Sequence, residues 1–141
     1  MSHDVISLLA DMVKIPSVCG DEGRVASFIA GWLTENGLPA EMLEVKPGRP
    51  DVISRVDTGR KGPRLMFNGH MDTVAAGTGW KHAPFGAEIE KGKMYGRGTD
   101  DMKSGLAAMM SAMAECKAEG SINKGAIIMA AVVDEESIDF G

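Results

Sequence analysis

Two stretches near the start of the chain repeat apolar residues at the three-and-four spacing of an amphipathic helix. Val5, Leu8, Leu9, Met12 and Val13 form the first stripe, and Pro16, which cannot continue a helix, ends it. Val25, Phe28, Ile29, Trp32 and Leu33 form the second, closed by the helix-stop pair Asn36-Gly37. The pattern then changes period. Segments 41–46 and 52–57 read as strands, separated by the turn-rich Pro47-Gly48-Arg49-Pro50. Leu65-Met66-Phe67 is a short apolar run that fits a buried strand, and 87–90 with 93–95 reads as a hairpin turning at Lys91-Gly92. Residues 102–117 are rich in Ala, Met and Leu on several faces, as in a largely buried helix. Residues 126–133 are apolar throughout, as in a strand covered on both faces. Helices alternating with buried strands predict an α/β fold of three layers, α/β/α.

The polar residues that carry chemistry fall at strand ends. His70 and Asp72 follow one apolar strand and Asp134-Glu135-Glu136 follow another, and open α/β sheets place their sites outside the carboxyl ends of strands. Strand geometry would project His70 and Asp72 to the same side. Asp72 could then take the second ring N–H of a metal-bound His70; taken alone, the pair fits a plain loop-end hydrogen bond better. In Gly96-Arg97-Gly98-Thr99-Asp100-Asp101, Asp101 occupies the third glycine position of a nucleotide fingerprint, and no phosphate loop is present. Asp100 reads as a helix cap. Asp101 is the better metal candidate, because a carboxylate has two oxygens and can bridge two cations. Three adjacent acids at 134–136 repel one another unless solvated or neutralised. They form either a solvated strand end, or a division of labour in which one binds a metal and its neighbour takes a proton from water. One histidine with several carboxylates suits zinc or another borderline cation.

Composition narrows the choice. The 141 residues are 44% hydrophobic and 25% charged, with a net charge of −5. That balance argues against nucleic acid or an anionic membrane surface as partner. No stretch approaches the roughly 20 apolar residues of a membrane span. Met1-Ser2-His3-Asp4 lacks a basic region ahead of an apolar one, so no secretion signal is expected. Cys19 and Cys116 form no disulfide framework, and free thiols in the cytoplasm are the expectation. No Gly-x-Ser-x-Gly elbow supplies a serine nucleophile, and Cys19 has no histidine near it in sequence. A magnesium phosphohydrolase would lack a phosphate cradle and fit His70 poorly. A non-catalytic binding or assembly domain keeping the same fold is the alternative to a metallohydrolase.

Four motifs, in order, resemble the dizinc aminoacylase/carboxypeptidase family, which includes acetylornithine deacetylase, succinyl-diaminopimelate desuccinylase and glutamate carboxypeptidase. The likeness begins with Ile15-Pro16-Ser17-Val18-Cys19-Gly20-Asp21-Glu22. It continues through Gly69-His70-Met71-Asp72-Thr73-Val74, Trp80 and Pro84-Phe85. Tyr95-Gly96-Arg97-Gly98, Asp101-Met102-Lys103-Ser104-Gly105 and Asp134-Glu135-Glu136 complete it. The resemblance implies the catalytic domain of a zinc exopeptidase type and two bound zinc ions, with cobalt or manganese as substitutes. His70 would bind one ion, Glu136 the other, and Asp101 would bridge them. Asp72 would orient His70, and Glu135 would be the general base. A cis peptide between Asp101 and Met102 is implied as well.

The implied substrate is an N-acyl amino acid or small peptide, and the implied full-length assembly is a cytoplasmic homodimer. The family supplies a further acidic ligand, a second metal-binding histidine and a lid domain after the position of Gly141. On that basis residues 1–141 are expected to be an incomplete N-terminal part of the catalytic domain, inactive alone and prone to self-association. His3 is in the wrong place to replace the later histidine. Two departures from the family pattern stand out: His82, read as surface or substrate rim, and the run Ser137-Ile138-Asp139-Phe140-Gly141 in place of a Gly-Ser segment.

Overall fold

The computed structural model describes residues 4–137, so His3 and the departure at 138–141 lie outside the described residues. Both helical stripes are helices. In α1, Val5–Val13, the Asp4 carboxylate accepts the Ile6 N–H at 3.1 Å and so satisfies one of the free donors of the first turn. It buries Leu8, Leu9, Met12 and Val13. Helix α2, Gly23–Glu35, buries Val25, Ala26, Ile29 and Leu33, and Gly37 follows it with a left-handed φ of 72°. Fully burying a side chain such as Ile29 or Leu33 contributes about 1.5–3 kcal/mol.

Six strands follow the expected order: β1 (Glu41–Lys46), β2 (Arg49–Asp57), β3 (Arg64–His70), β4 (Glu88–Glu90), β5 (Lys93–Tyr95) and β6 (Ala126–Val132). Helix α3, Ser104–Ala118, lies between β5 and β6. The main sheet has the order β1-β2-β6-β3, with β6 antiparallel to β2 and parallel to β3. Strands β4 and β5 pair separately, and Lys91 and Gly92 at their turn both have positive φ, as the tight hairpin turns require.

Period-two alternation decides which side of the sheet the helices cover. Ile127, Met129, Ala131 and Val133 join one apolar cluster with Val52, with Met12 and Val13 of α1, Ile29 and Leu33 of α2, and Leu106 and Met110 of α3. The intervening residues Ile128 and Ala130 stand opposite Met66 and Asn68 on the other face. Of the three-layer architecture, the described residues therefore build the sheet and one helical layer. Leu65 and Met66 correct one expectation: their run is a strand, but they are 52% and 57% exposed. An apolar run reveals that a strand forms, not whether a neighbour covers it, and β3 is an edge of this sheet.

Asp100 does not cap α3. No side-chain cap bond is present at the start of that helix, whose N-cap position is Lys103. Asp101 and Met102 have non-helical backbone and separate Asp100 from the helix.

Candidate metal centre

Three chain segments meet where β3 and β6 end. The parallel ladder continues one residue beyond β3, where Met71 N–H donates to Val132 O at 2.8 Å. A second layer of bonds holds the loop after α1 against this end. Ser17 Oγ donates to Met71 O at 2.8 Å, Thr73 N–H to Ser17 O at 2.9 Å, and Cys19 N–H to Thr73 O at 3.0 Å. His70 and Asp72 are thus fixed from both sides, and both are buried.

The turn Thr99–Lys103 brings in the next acid. Gly98 opens it at a φ of 82°, and a Cβ there would lie 2.8 Å from Thr73 Cγ2. Gly69 matters in the same way: a Cβ would meet Met102 Cε at 2.8 Å and Leu106 Cδ2 at 3.0 Å. Its absence lets the start of α3 pack directly against the strand beside His70. The Asp101–Met102 peptide is cis. Lys103 pins the turn from below, donating from Nζ to Met12 O at 3.0 Å and Ile15 O at 2.7 Å. Its fully buried ammonium is pulled down to about 8 by desolvation. The carbonyls at the C-terminal end of α1 are where a cation is best received.

These elements gather the five residues that the sequence singled out. His70 Nε2 is 3.0 Å from Asp101 Oδ1 and 3.6 Å from Glu135 Oε2. Ligand atoms of His70, Asp101 and Glu136 all lie within 4.8 Å of one another. His70 is 6% exposed at its side chain, whereas Asp101 and Glu135 are 72% and 60% exposed, so the cluster opens to solvent on its acidic side.

The other ring nitrogen, Nδ1, lies 2.9 Å from the main-chain oxygen of Asp72 and 3.6 Å from its carboxylate. The carboxylate instead accepts the backbone N–H groups of Glu135, at 3.3 Å, and Glu136, at 2.8 Å. Asp72 therefore ties the end of β3 to the end of β6. A carbonyl can only accept, so Nδ1 carries a proton and Nε2 turns toward two carboxylates. Acceptor facing acceptor is stable there only with a proton or a metal cation between them. Burial works against a charged His70, but the Asp72 main chain and the Asp101 carboxylate outweigh it and raise its pKa.

A second set of ligand-type atoms, from Cys19, Glu22 and Asp72, lies close by. There Arg49 supplies the positive charge, with Nε 2.7 Å from Glu22 Oε2 and Nη2 2.7 Å from Oε1. Sequence reasoning missed Arg49, Glu22, Lys46 and Asp134 as a group, having placed Arg49 in a turn. A buried glutamate requires a cation, but nothing local marks one 27 residues away. His82 stands apart from all of this. It stacks on Tyr95 at 4.0 Å between ring centroids, and its Nδ1 lies 3.0 Å from Glu88 Oε2. With Trp80, Tyr95 and Arg97 it lines an open cleft of about 680 Å³, which none of the five clustered residues lines.

Comparison with known proteins identifies the family. Residues 66–141 match the model of "Peptidase family M20/M25/M40". The "Probable succinyl-diaminopimelate desuccinylase" of Staphylococcus epidermidis is 36% identical over 141 residues, which is 99% of this chain and 34% of that protein. The succinyl-diaminopimelate desuccinylase of Cereibacter sphaeroides is 39% identical over 140 residues, 96% of this chain and 36% of that one. Among solved structures, an M20 family metallo-carboxypeptidase from Sulfolobus solfataricus superposes with a TM-score of 0.85 at 24% identity, covering 95% of this chain and 31% of that one. The chain thus spans about a third of the length of the curated relatives it matches. The family match covers more than half of the chain, and its span holds all five clustered residues. The chain belongs to the peptidase family M20/M25/M40.

Proposed function

We propose that the chain carries part of a two-metal centre that hydrolyses the amide bond of an N-acyl amino acid or small peptide. One observation carries this reading: His70 Nε2 is aimed at Asp101 and Glu135 while Nδ1 is already committed to Asp72. His70, Asp101 and Glu136 are the proposed ligands, and the two oxygens of exposed Asp101 suit it to bridging. A mixed nitrogen and carboxylate donor set fits zinc, with cobalt or manganese as substitutes. Two such ions would polarise the scissile carbonyl and lower the pKa of the attacking water.

Glu135 has a separate task. Its carboxylate reaches the same space as His70 Nε2 and is solvent-accessible, which suits a group that accepts the water's proton and returns it to the leaving amine nitrogen. Asp72 holds the His70 ring by its main-chain oxygen and the Glu135 and Glu136 backbones by its carboxylate. The relatives, a desuccinylase and a carboxypeptidase by name, support an acyl-amino-acid or peptide amide as the bond class. Activity is assigned to a protein of the relatives' length, as a cytoplasmic homodimer, with the 141 residues alone inactive.

The test is a pair of variants in the full-length protein. His70→Ala should lose bound zinc. Glu135→Gln should keep zinc yet lower kcat on N-acyl amino acids by about 10²–10⁴-fold, the usual contribution of a general base. Full activity in Glu135→Gln would refute its role, and unchanged zinc content in His70→Ala would refute the metal centre.

A further inference from the structure

Behind the metal-type cluster lies a charge network that none of the proposed chemistry uses. Glu22 is fully buried, and the side chain of Arg49 is 13% exposed. Arg49 holds both Glu22 oxygens, and its Nη2 also donates to Asp134 Oδ1 at 2.6 Å. Lys46 Nζ donates to Asp134 Oδ2 at 2.6 Å, and the Cys19 thiol donates to Asp134 Oδ1 at 3.3 Å. Asp134 has a φ of 72°, in the left-handed region that non-glycine residues adopt with difficulty. That backbone turn comes immediately before Glu135 and Glu136, whose N–H groups point at Asp72.

We propose that Arg49 is a positioning residue for the metal centre: anchored on buried Glu22, it clamps the Asp134 carboxylate and thereby the left-handed turn that presents Glu135 and Glu136. The inference rests on the metal reading given above and adds residues to it. Three consecutive acids would splay apart by mutual repulsion. Arg49 and Lys46 neutralise the first, so the turn closes while the other two remain directed at the open side of the site. Geometry favours arginine here, because its rigid planar fork meets two carboxylates at once, which a single ammonium does less well. The ion pairs also stabilise a turn that sequence alone disfavours. Val133 N–H, donating to Asp51 Oδ1 at 3.0 Å, holds the strand just before it.

The experiment uses the full-length protein, stripped of metal and titrated with zinc against a chromophoric chelator. Amide hydrogen exchange at residues 135–136 and thermal unfolding are followed in parallel. Arg49→Met is expected to weaken zinc binding by about 10–100-fold, the effect typical of removing support from behind a metal ligand. Exchange at residues 135–136 should quicken, and Arg49→Lys should recover part of both losses. A general loss of stability would lower the unfolding temperature without changing the zinc affinity of the folded fraction. Parent-like zinc affinity together with parent-like exchange in Arg49→Met overturns the proposal. If Arg49→Met does not fold, Asp134→Asn decides by the same two readouts, since asparagine tolerates the left-handed backbone but forms no ion pair. His70→Ala and Glu136→Gln in the same titration separate the two ideas. If both bind zinc normally, the metal reading itself fails. If they lose zinc while Arg49→Met does not, the positioning role alone fails.

Discussion

Cys19 offers a chemical probe of the charge network from inside. Its thiol lies against Asp134, near Asp72 and Glu22, and is pushed from 9.0 up to about 11, first by burial and then by these carboxylates. At pH 8 that two-unit rise lowers the thiolate fraction by about 100-fold. A more basic thiolate is intrinsically more nucleophilic, and a Brønsted slope of 0.4–0.5 returns about 6–10-fold. The net expectation is alkylation about 10–15-fold slower than for an unfolded thiol, before any loss from restricted access. Iodoacetamide labelling, read by mass spectrometry, would compare Cys19 in the folded protein with the same cysteine in a peptide spanning residues 17–21. Equal rates would refute the reasoning. They would mean that Arg49, whose Nη2 is 3.7 Å from the sulfur, acts as counter-ion to the thiolate instead of being consumed by Glu22 and Asp134. The sign of the linked stability change follows from the same shift. The folded state holds the Cys19 proton more tightly, so this contribution is complete below pH 9 and is lost as pH rises toward about 11.

Two further substitutions test the framework around the site. Ile29→Ala removes a fully buried side chain from α2 and should cost about 2–5 kcal/mol, read as a lower urea midpoint with an unchanged slope. Gly98→Ala forces a side chain into a φ of 82° and against Thr73, and should cost about 1–3 kcal/mol while weakening zinc binding through the displaced Asp101 turn. A parent-like urea midpoint in either variant would contradict the packing from which these figures come.

Much of the fold was legible because its signals are local. The stripes that became α1 and α2, the turn at Lys91-Gly92 and the continuous apolar run of β6 each announce themselves within about ten residues. The candidate site residues stood out for a related reason: His70-Met71-Asp72 and Asp134-Glu135-Glu136 are short polar motifs at strand ends, and the fold brings them together with Asp101. What stayed hidden depends on contacts between distant segments. Leu65 and Met66 gave no sign that β3 would be an edge. Lys103 looked like part of a motif, yet it is a fully buried ammonium held by the carbonyls of Met12 and Ile15. The cis peptide at Asp101–Met102 could be anticipated from family resemblance but from no property of Asp and Met themselves.

Asp72 stands between the two ligand-type clusters, its carboxylate grouped with Cys19 and Glu22 and its main-chain oxygen against His70 Nδ1, and that placement helps so many acids sit together. Asp101, Glu135, Glu136, Asp134, Glu22 and Asp72 crowd around one histidine and one cysteine. Like charges at such spacing would raise one another's pKa values and open the turn unless each were matched. The chain divides the task by location. On the buried side, Arg49 serves Glu22 and Asp134, and Lys46 adds a second contact from β1. In the middle, Asp72 is satisfied by two backbone N–H groups and needs no mobile cation. On the open side, Asp101 and Glu135 are left facing solvent and His70 Nε2, with no lysine or arginine paired to either among the described residues. Positive charge built into the chain thus stops one layer short of the exposed acids. A site arranged in this way pairs Glu22 and Asp134 with cations of its own chain and leaves Asp101 and Glu135 open to solvent, the arrangement that the proposed metal centre requires.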